Sequence, residues 1–139
     1  MKGKTFLALV IGLGLSLAAF PSLAEEKIEL AAIQKQSDAY NSRNVNAILE
    51  CYAEDVIIED GLGNTIVNGI EELRMFYQKL FSNSPGLKYR ILSHRKVGEW
   101  IVNEEFMTGV NMDGFPDRIH GAAVYRIVNG KIAYVRLTM

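Results

Sequence analysis

From Leu87 to Met139 the chain is an almost unbroken run of strand-forming segments, and this half dictates what the other half has to do. "LKYRILSHRKV", "WIVNEEFMTGV", "RIHGAAVYRIV" and "KIAYVRLTM" are rich in β-branched and aromatic residues, and "NMDGFP" and "NG" between them supply turns. They predict an antiparallel meander. A sheet buries a face only against another layer, so the preceding residues must provide the cover.

They do so as helices. In "KIELAAIQKQSDAYNSRN", Ile33, Gln36 and Tyr40 recur at helical spacing with Ala32 and Ser37 beside them. This predicts a first amphipathic helix with one polar residue, Gln36, on its stripe. Asn44 suits the N-cap of a second, short helix in which Val45, Ile48, Leu49 and Tyr52 follow the i, i+3, i+4, i+7 pattern, ending near Asp55. "VIIED" then reads as a strand, "GLGN" as a tight turn and "TIVNG" as the hairpin partner. A third helix follows Gly69 with Leu73, Phe76, Tyr77 and Leu80 as its stripe, and Pro85 and Gly86 stop it. The order α-α-β-β-α-β-β-β-β predicts an α+β fold, a cone in which three helices of the N-terminal half pack on a strongly curved antiparallel or mixed sheet. A sheet bent around helices leaves a hollow, and a hollow with aromatic and aliphatic walls and few polar groups is the usual place for a small molecule.

The first residues read differently. Lys2 and Lys4 precede the uncharged "FLALVIGLGLSLAAF", and Ser22 and Ala24 sit at the small-residue positions of a signal-peptidase site. Residues 1–24 are therefore expected to be a cleaved export signal, and residues 25–139 one domain in the periplasm or secreted to the medium. An uncleaved anchor would need about 20 apolar residues, and Gly12, Gly14, Ser16 and Pro21 weaken this span. The mature chain of 115 residues suits one compact domain. It keeps thirteen basic and sixteen acidic residues, and a net charge of −3 gives no basis for binding nucleic acid or an anionic membrane. Cys51 is the sole cysteine, so no intrachain disulfide forms, and it reads as a packed helical residue.

The stretch "YNSRNVNAILECYAEDVIIEDGLGNTIVNGIEELRMFY", with the late "VYRIVNGKIAYVRL", resembles the nuclear transport factor 2-like superfamily, and within it the SnoaL-like and ketosteroid-isomerase-like proteins. The resemblance covers most of residues 25–139 and implies the cone-shaped fold. It leaves the activity open, because the superfamily includes isomerases, dehydratases, epoxide hydrolases, cyclases, dimerisation modules and plain binders. By this resemblance Asp60 falls where ketosteroid isomerases keep the carboxylate that moves a proton α to a ketone, and Tyr77 matches a pocket tyrosine that supports their oxyanion hole. The family's tyrosine donor on the first helix is replaced by Gln36, and its protonated aspartic acid on a late strand falls near Ala123, with no Asp between Arg118 and Met139. Loss of one preorganised donor costs on the order of 10²–10³ in rate, so efficient steroid isomerisation is not expected. Gln36 and Tyr77 remain the candidate donors, the amide being the weaker acid.

Other branches fit less well. The epoxide-hydrolase branch needs an Asp-Arg-Asp set on late strands, whereas "NEEFMTG" offers Glu104 and Glu105 without an Arg, and Arg136 is followed by Leu137. The dehydratase branch uses two histidines. Alternation places His94 with Lys88 and Arg90, and His120 with Arg126, on the solvent side unless a bulge reverses one of them. Glu104 and Glu105 are adjacent and point to opposite faces, which leaves room for one of them in the hollow. Two distant histidines and one cysteine make no metal-ligand set, and neither a phosphate loop nor a nucleophile elbow is present, so no metal or cofactor is expected.

Tyr40, Tyr52, Phe76, Phe106 and Tyr125 are the candidate pocket wall, each with plain core packing as its alternative. Asp60 also has two readings. With Gly61 it can cap a turn, or it can be a general base whose pKa an apolar hollow raises. The expectation is an exported domain that binds a small, largely apolar molecule, with weak isomerase or lyase chemistry at Asp60. The alternative is a non-catalytic module that pairs through the outer face of its sheet, and homodimerisation fits both.

Overall fold

The computed structural model describes residues 22–139. Of the export signal read over residues 1–24, only Ser22, Leu23 and Ala24 fall within that range; the remainder lies outside the described residues.

Helix α1 (Leu23–Asn41) opens with a capping box: Glu25 N donates to Ser22 Oγ at 3.2 Å and Ser22 N donates to the Glu25 carboxylate at 3.1 Å. Its buried stripe is Ala32, Ile33, Gln36, Ser37, Ala39 and Tyr40. Helix α2 (Val45–Leu49) is capped by Asn44, whose Oδ1 accepts from Ala47 N at 3.0 Å. It stops at Leu49, well short of Asp55, because the sheet captures the next turn of chain: Tyr52 pairs with Ile132, and Ile132 N donates to Cys51 O at 2.8 Å. Helical spacing is a local preference that this pairing overrides. Cys51 is consequently a buried turn residue rather than a helical one.

Strands β1 (Tyr52–Glu59) and β2 (Thr65–Asn68) form the expected hairpin, and α3 (Ile70–Asn83) comes after Gly69. Strands β3 (Lys88–Val97), β4 (Trp100–Thr108), β5 (Arg118–Val128) and β6 (Lys131–Thr138) form the antiparallel meander. The six strands make one sheet in the order β2-β1-β6-β5-β4-β3, mixed because β1 runs parallel to β6. Register shifts at Ile58/Glu59, Ile91/Ser93 and Arg126/Ile127 bend the strands. Helix α1 packs on α2 and β3, and α3 on α2, β1 and β2, so the helices cover the concave face. Ile48, Val56, Leu73 and Ile132 are fully buried between the layers. Among the described residues, no helix is long and apolar enough to cross a membrane.

Candidate functional site

The layers do not close completely. Between α1, α3 and the concave face lies a cavity of about 80 Å³ whose wall includes Gln36 and Tyr40 from α1, Phe76 and Tyr77 from α3, Tyr52 from β1 and Tyr125 from β5. Aliphatic and methionine side chains complete the wall, with Val110, Met112 and Phe115 contributed by the β4–β5 loop. No Lys, Arg or His is among the lining residues.

One acid is. Strand β4 turns Ile101, Asn103 and Glu105 inward, and Glu105 is 7% exposed. Its Oε1 accepts from Tyr125 Oη at 2.6 Å and from Asn103 Nδ2 at 3.2 Å, while Oε2 receives no hydrogen bond among the described residues. Burial pushes the Glu105 carboxyl above its usual range, and the donors Tyr125, Tyr89 and Asn103 only partly oppose this. Tyr89 sits close to the same carboxyl but without hydrogen-bond geometry, so its hydroxyl has no partner. Its backbone is held in place from α1: Tyr89 N donates to Asn41 Oδ1 and Asn41 Nδ2 donates to Tyr89 O, both at 2.9 Å. The Tyr89 ring stacks on Tyr40 with centroids 4.8 Å apart.

Gln36 and Tyr77 meet at the hydroxyl of Tyr52. Gln36 Nε2 donates to Tyr52 Oη at 2.7 Å, and the Tyr52 and Tyr77 hydroxyls lie 3.1 Å apart. The amide donor is thus already engaged, and Gln36 retains an unpartnered acceptor, Oε1. Burial raises the pKa values of Tyr40, Tyr52, Tyr77, Tyr89 and Tyr125, so these phenols stay protonated.

Two sequence-predicted residues lie elsewhere. Asp60 is not in the cavity wall but in the β1–β2 turn. Its Oδ1 accepts from Leu62 N at 2.9 Å and Asn64 N at 2.8 Å, and its Oδ2 from Asn64 Nδ2 at 2.8 Å. The hydrogen bond from the Asn64 side chain, with backbone donors behind it, lowers the Asp60 pKa. The turn-cap reading is the one the geometry supports. The expectation of a base with a raised pKa facing an apolar hollow is corrected. Phe106 is the second correction. It comes directly after Glu105 on β4 and therefore points to the outer face, where the guanidinium groups of Arg90 and Arg118 lie 5.7 and 5.6 Å from its ring centroid. His120 is on that face too, with Nε2 2.7 Å from Glu104 Oε1. The β3 bulge puts His94 opposite inward-facing Asn103, but His94 is exposed and outside the cavity wall. Among the described residues, no three His, Cys, Asp or Glu side chains converge on a metal position.

Comparison with known proteins agrees with this architecture. The SnoaL-like domain family matches residues 33–135, most of the described chain. The protein belongs to the SnoaL-like domain family. A comparison with curated proteins finds no match. Solved structures similar to this SnoaL-like chain include a cystatin-fold protein from Novosphingobium aromaticivorans, at TM-score 0.69 and 22% identity over 78% of this chain and 96% of that one. An epoxide hydrolase of the limonene-epoxide-hydrolase-like type from Mycobacterium tuberculosis aligns at TM-score 0.65 and 11% identity, covering 81% and 82%. A protein of ketosteroid-isomerase-like fold from Catenulispora acidiphila, in complex with trimethylamine, aligns at 0.61 and 17%, covering 76% and 82%. At these identities the likeness establishes the fold. The acid that this SnoaL-like cavity holds is Glu105, which sequence reasoning left undecided against Glu104. Parity with Ile101 was the signal that could have chosen it.

Proposed function

We propose that this SnoaL-like domain binds a small, largely apolar molecule in the cavity and anchors it through Glu105. The observation that carries the reading is a carboxyl held by Tyr125 in an apolar, tyrosine-rich space, with one oxygen that receives no hydrogen bond among the described residues. A buried acid with a raised pKa in a concave site is a candidate for giving or taking a proton. Any isomerase- or lyase-type proton transfer therefore belongs to Glu105 and not to Asp60. The complex of the Catenulispora acidiphila protein with trimethylamine supports the reading of such cavities as small-molecule sites. The reading also places this binding in the periplasm or the medium, on the sequence pattern of residues 1–24 alone; N-terminal sequencing of the protein recovered from expressing cells and from the medium tests it.

A panel of small ketones, alcohols and amines, followed by backbone NMR, tests the binding site. Shifts should concentrate at Glu105, Tyr89 and Tyr125. Shifts confined to the outer face near Phe106, or none across the panel, would remove the ligand-binding reading. For proton transfer, deuterium exchange α to a bound ketone should be lost in Glu105→Gln and kept in Asp60→Asn.

The outer face favours a second reading, pairing of two copies through the sheet. Trp100 and Phe106 are half-buried there, with Arg126 6.0 Å from the Trp100 ring and Arg90 and Arg118 over Phe106. Light scattering on the wild type and on Phe106→Ala tests this: a monomer at all concentrations in the wild type removes it.

A further inference from the structure

The unsatisfied chemistry of the cavity points to the charge of its occupant. Among the described residues no donor reaches Glu105 Oε2 or Gln36 Oε1 in hydrogen-bond geometry, Tyr89 Oη can serve either way, and no lining side chain carries positive charge. The walls add to this imbalance. Aromatic faces are the negative part of the ring quadrupole and attract cations, most favourably where water is excluded. Tyr40 makes edge contacts with Tyr77 at 5.4 Å and Phe81 at 5.5 Å besides its stack on Tyr89, and Phe76 contacts Tyr77 at 5.4 Å, so the rings form one connected aromatic cluster along the wall.

We infer that the cavity is a receptor for a compact tertiary or quaternary organic ammonium ion, seated among Tyr40, Tyr52, Phe76, Tyr77 and Tyr89 with its charge against Glu105. The inference rests on the small-molecule reading above and names the class of ligand. A primary ammonium carries three N–H donors, each of which would need an acceptor, and its strong hydration would have to be given up. A tertiary ammonium has one N–H for the single open carboxylate oxygen, and a quaternary ion has none. Both spread their charge over methyl groups that suit ring faces, which lowers the desolvation cost that limits buried ion pairs.

Charge neutrality sets the pH behaviour. The groups facing Glu105 are the phenols of Tyr125, Tyr89, Tyr40 and Tyr52 and the amide of Asn103, all uncharged at neutral pH. In the empty cavity the carboxyl is driven toward its protonated form. When a quaternary ion enters, the Glu105 proton leaves to bulk water and a carboxylate remains paired with the cation. Affinity should therefore weaken as pH falls through the Glu105 titration.

Calorimetry on the full chain with three probes, tetramethylammonium, methylammonium and the uncharged 3,3-dimethylbutan-2-one, tests the inference. Tetramethylammonium should bind about tenfold or more tighter than either of the others, lose affinity as the pH is lowered, and lose about tenfold or more in Glu105→Gln. If the ketone binds as tightly as the cation, or if cation affinity is indifferent to pH, the cationic ligand is overturned and the small-molecule reading survives. If no probe binds and NMR shows no shift in the cavity wall, both fall. The pH titration uses only the wild type and decides the matter even if Glu105→Gln fails to fold.

Discussion

Replacing Tyr125 by Phe removes one oxygen atom from the fully buried contact that holds Glu105, and its cost should depend on pH. The lost bond, 2.6 Å from Oη to Oε1, lies between two buried groups, and no other hydroxyl donates to that carboxyl in hydrogen-bond geometry. A hydrogen bond between neutral partners contributes about 1 kcal/mol, and one to an ionised partner about 1.5–3 kcal/mol. The raised Glu105 pKa fixes the sign. A carboxyl whose folded pKa exceeds its unfolded value stabilises most below the unfolded value, about 4.3. That contribution is lost as pH rises through the folded pKa. Tyr125 is the main donor lowering that pKa, so its removal raises it further and extends the loss to higher pH, by about 1.4 kcal/mol for each unit. Urea unfolding of wild type and Tyr125→Phe from acid to alkaline pH should give a difference near 1 kcal/mol at the acid end that grows to about 2–3 kcal/mol. In a Glu105→Gln background the same substitution should cost a constant amount, as the double-mutant cycle requires. A difference that stays flat across pH in the wild type, or that keeps its slope after Glu105→Gln, would refute the claim that this hydroxyl supports a titrating acid.

Asp60→Ala should lower stability at neutral pH and leave ligand binding in the cavity unchanged. Because the Asp60 pKa is depressed, its contribution is present above the unfolded aspartate value of about 3.9 and disappears as pH falls through the folded pKa, so the unfolding curves of variant and wild type should converge in acid. Gly109→Ala should cost more than about 1 kcal/mol in chemical denaturation, since Gly109 has φ +75° and a Cβ there would overlap the Gly86 carbonyl. Leu73→Ala, at a fully buried position on α3, should lower unfolding free energy by about 2–5 kcal/mol. Thermal denaturation should register each kcal/mol as a fall of about 4 °C.

The strands from Leu87 onward were readable because turn residues bound them and β-branched residues fill them, features that the sheet reinforces. The failures have specific causes. On β4 the aromatic residues Trp100 and Phe106 face outward while polar Asn103 and Glu105 face inward, so the preference of aromatic residues for the interior points Phe106 the wrong way. The end of α2 was overrun because Tyr52 continues a helical stripe, and only a partner eighty residues on, Ile132, removes it from the helix. The β3 bulge shifts the register between Ile91 and Ser93, and nothing in "YRILSHRK" announces the extra residue that changes the facing of His94. The hollow itself was legible from three helices meeting a bending sheet, but the identity of its acid was a matter of strand parity.

The two carboxyls show why position along the chain is a poor guide to chemistry in this fold. Asp60 stands close to an apolar strand in sequence, yet three donors and partial exposure stabilise its charged form, which makes it a weak base held in a turn. Glu105 lies in an unpromising run of acids, yet burial beside uncharged phenols destabilises its charged form and leaves one of its oxygens facing a space that a ligand can fill. An acid whose charged form is stabilised in this way has little tendency to take a proton. An acid whose charge is disfavoured by burial is the one whose protonation responds when something charged or polar arrives beside it. On the proposed reading, ligand entry and proton movement are coupled at Glu105 and independent at Asp60.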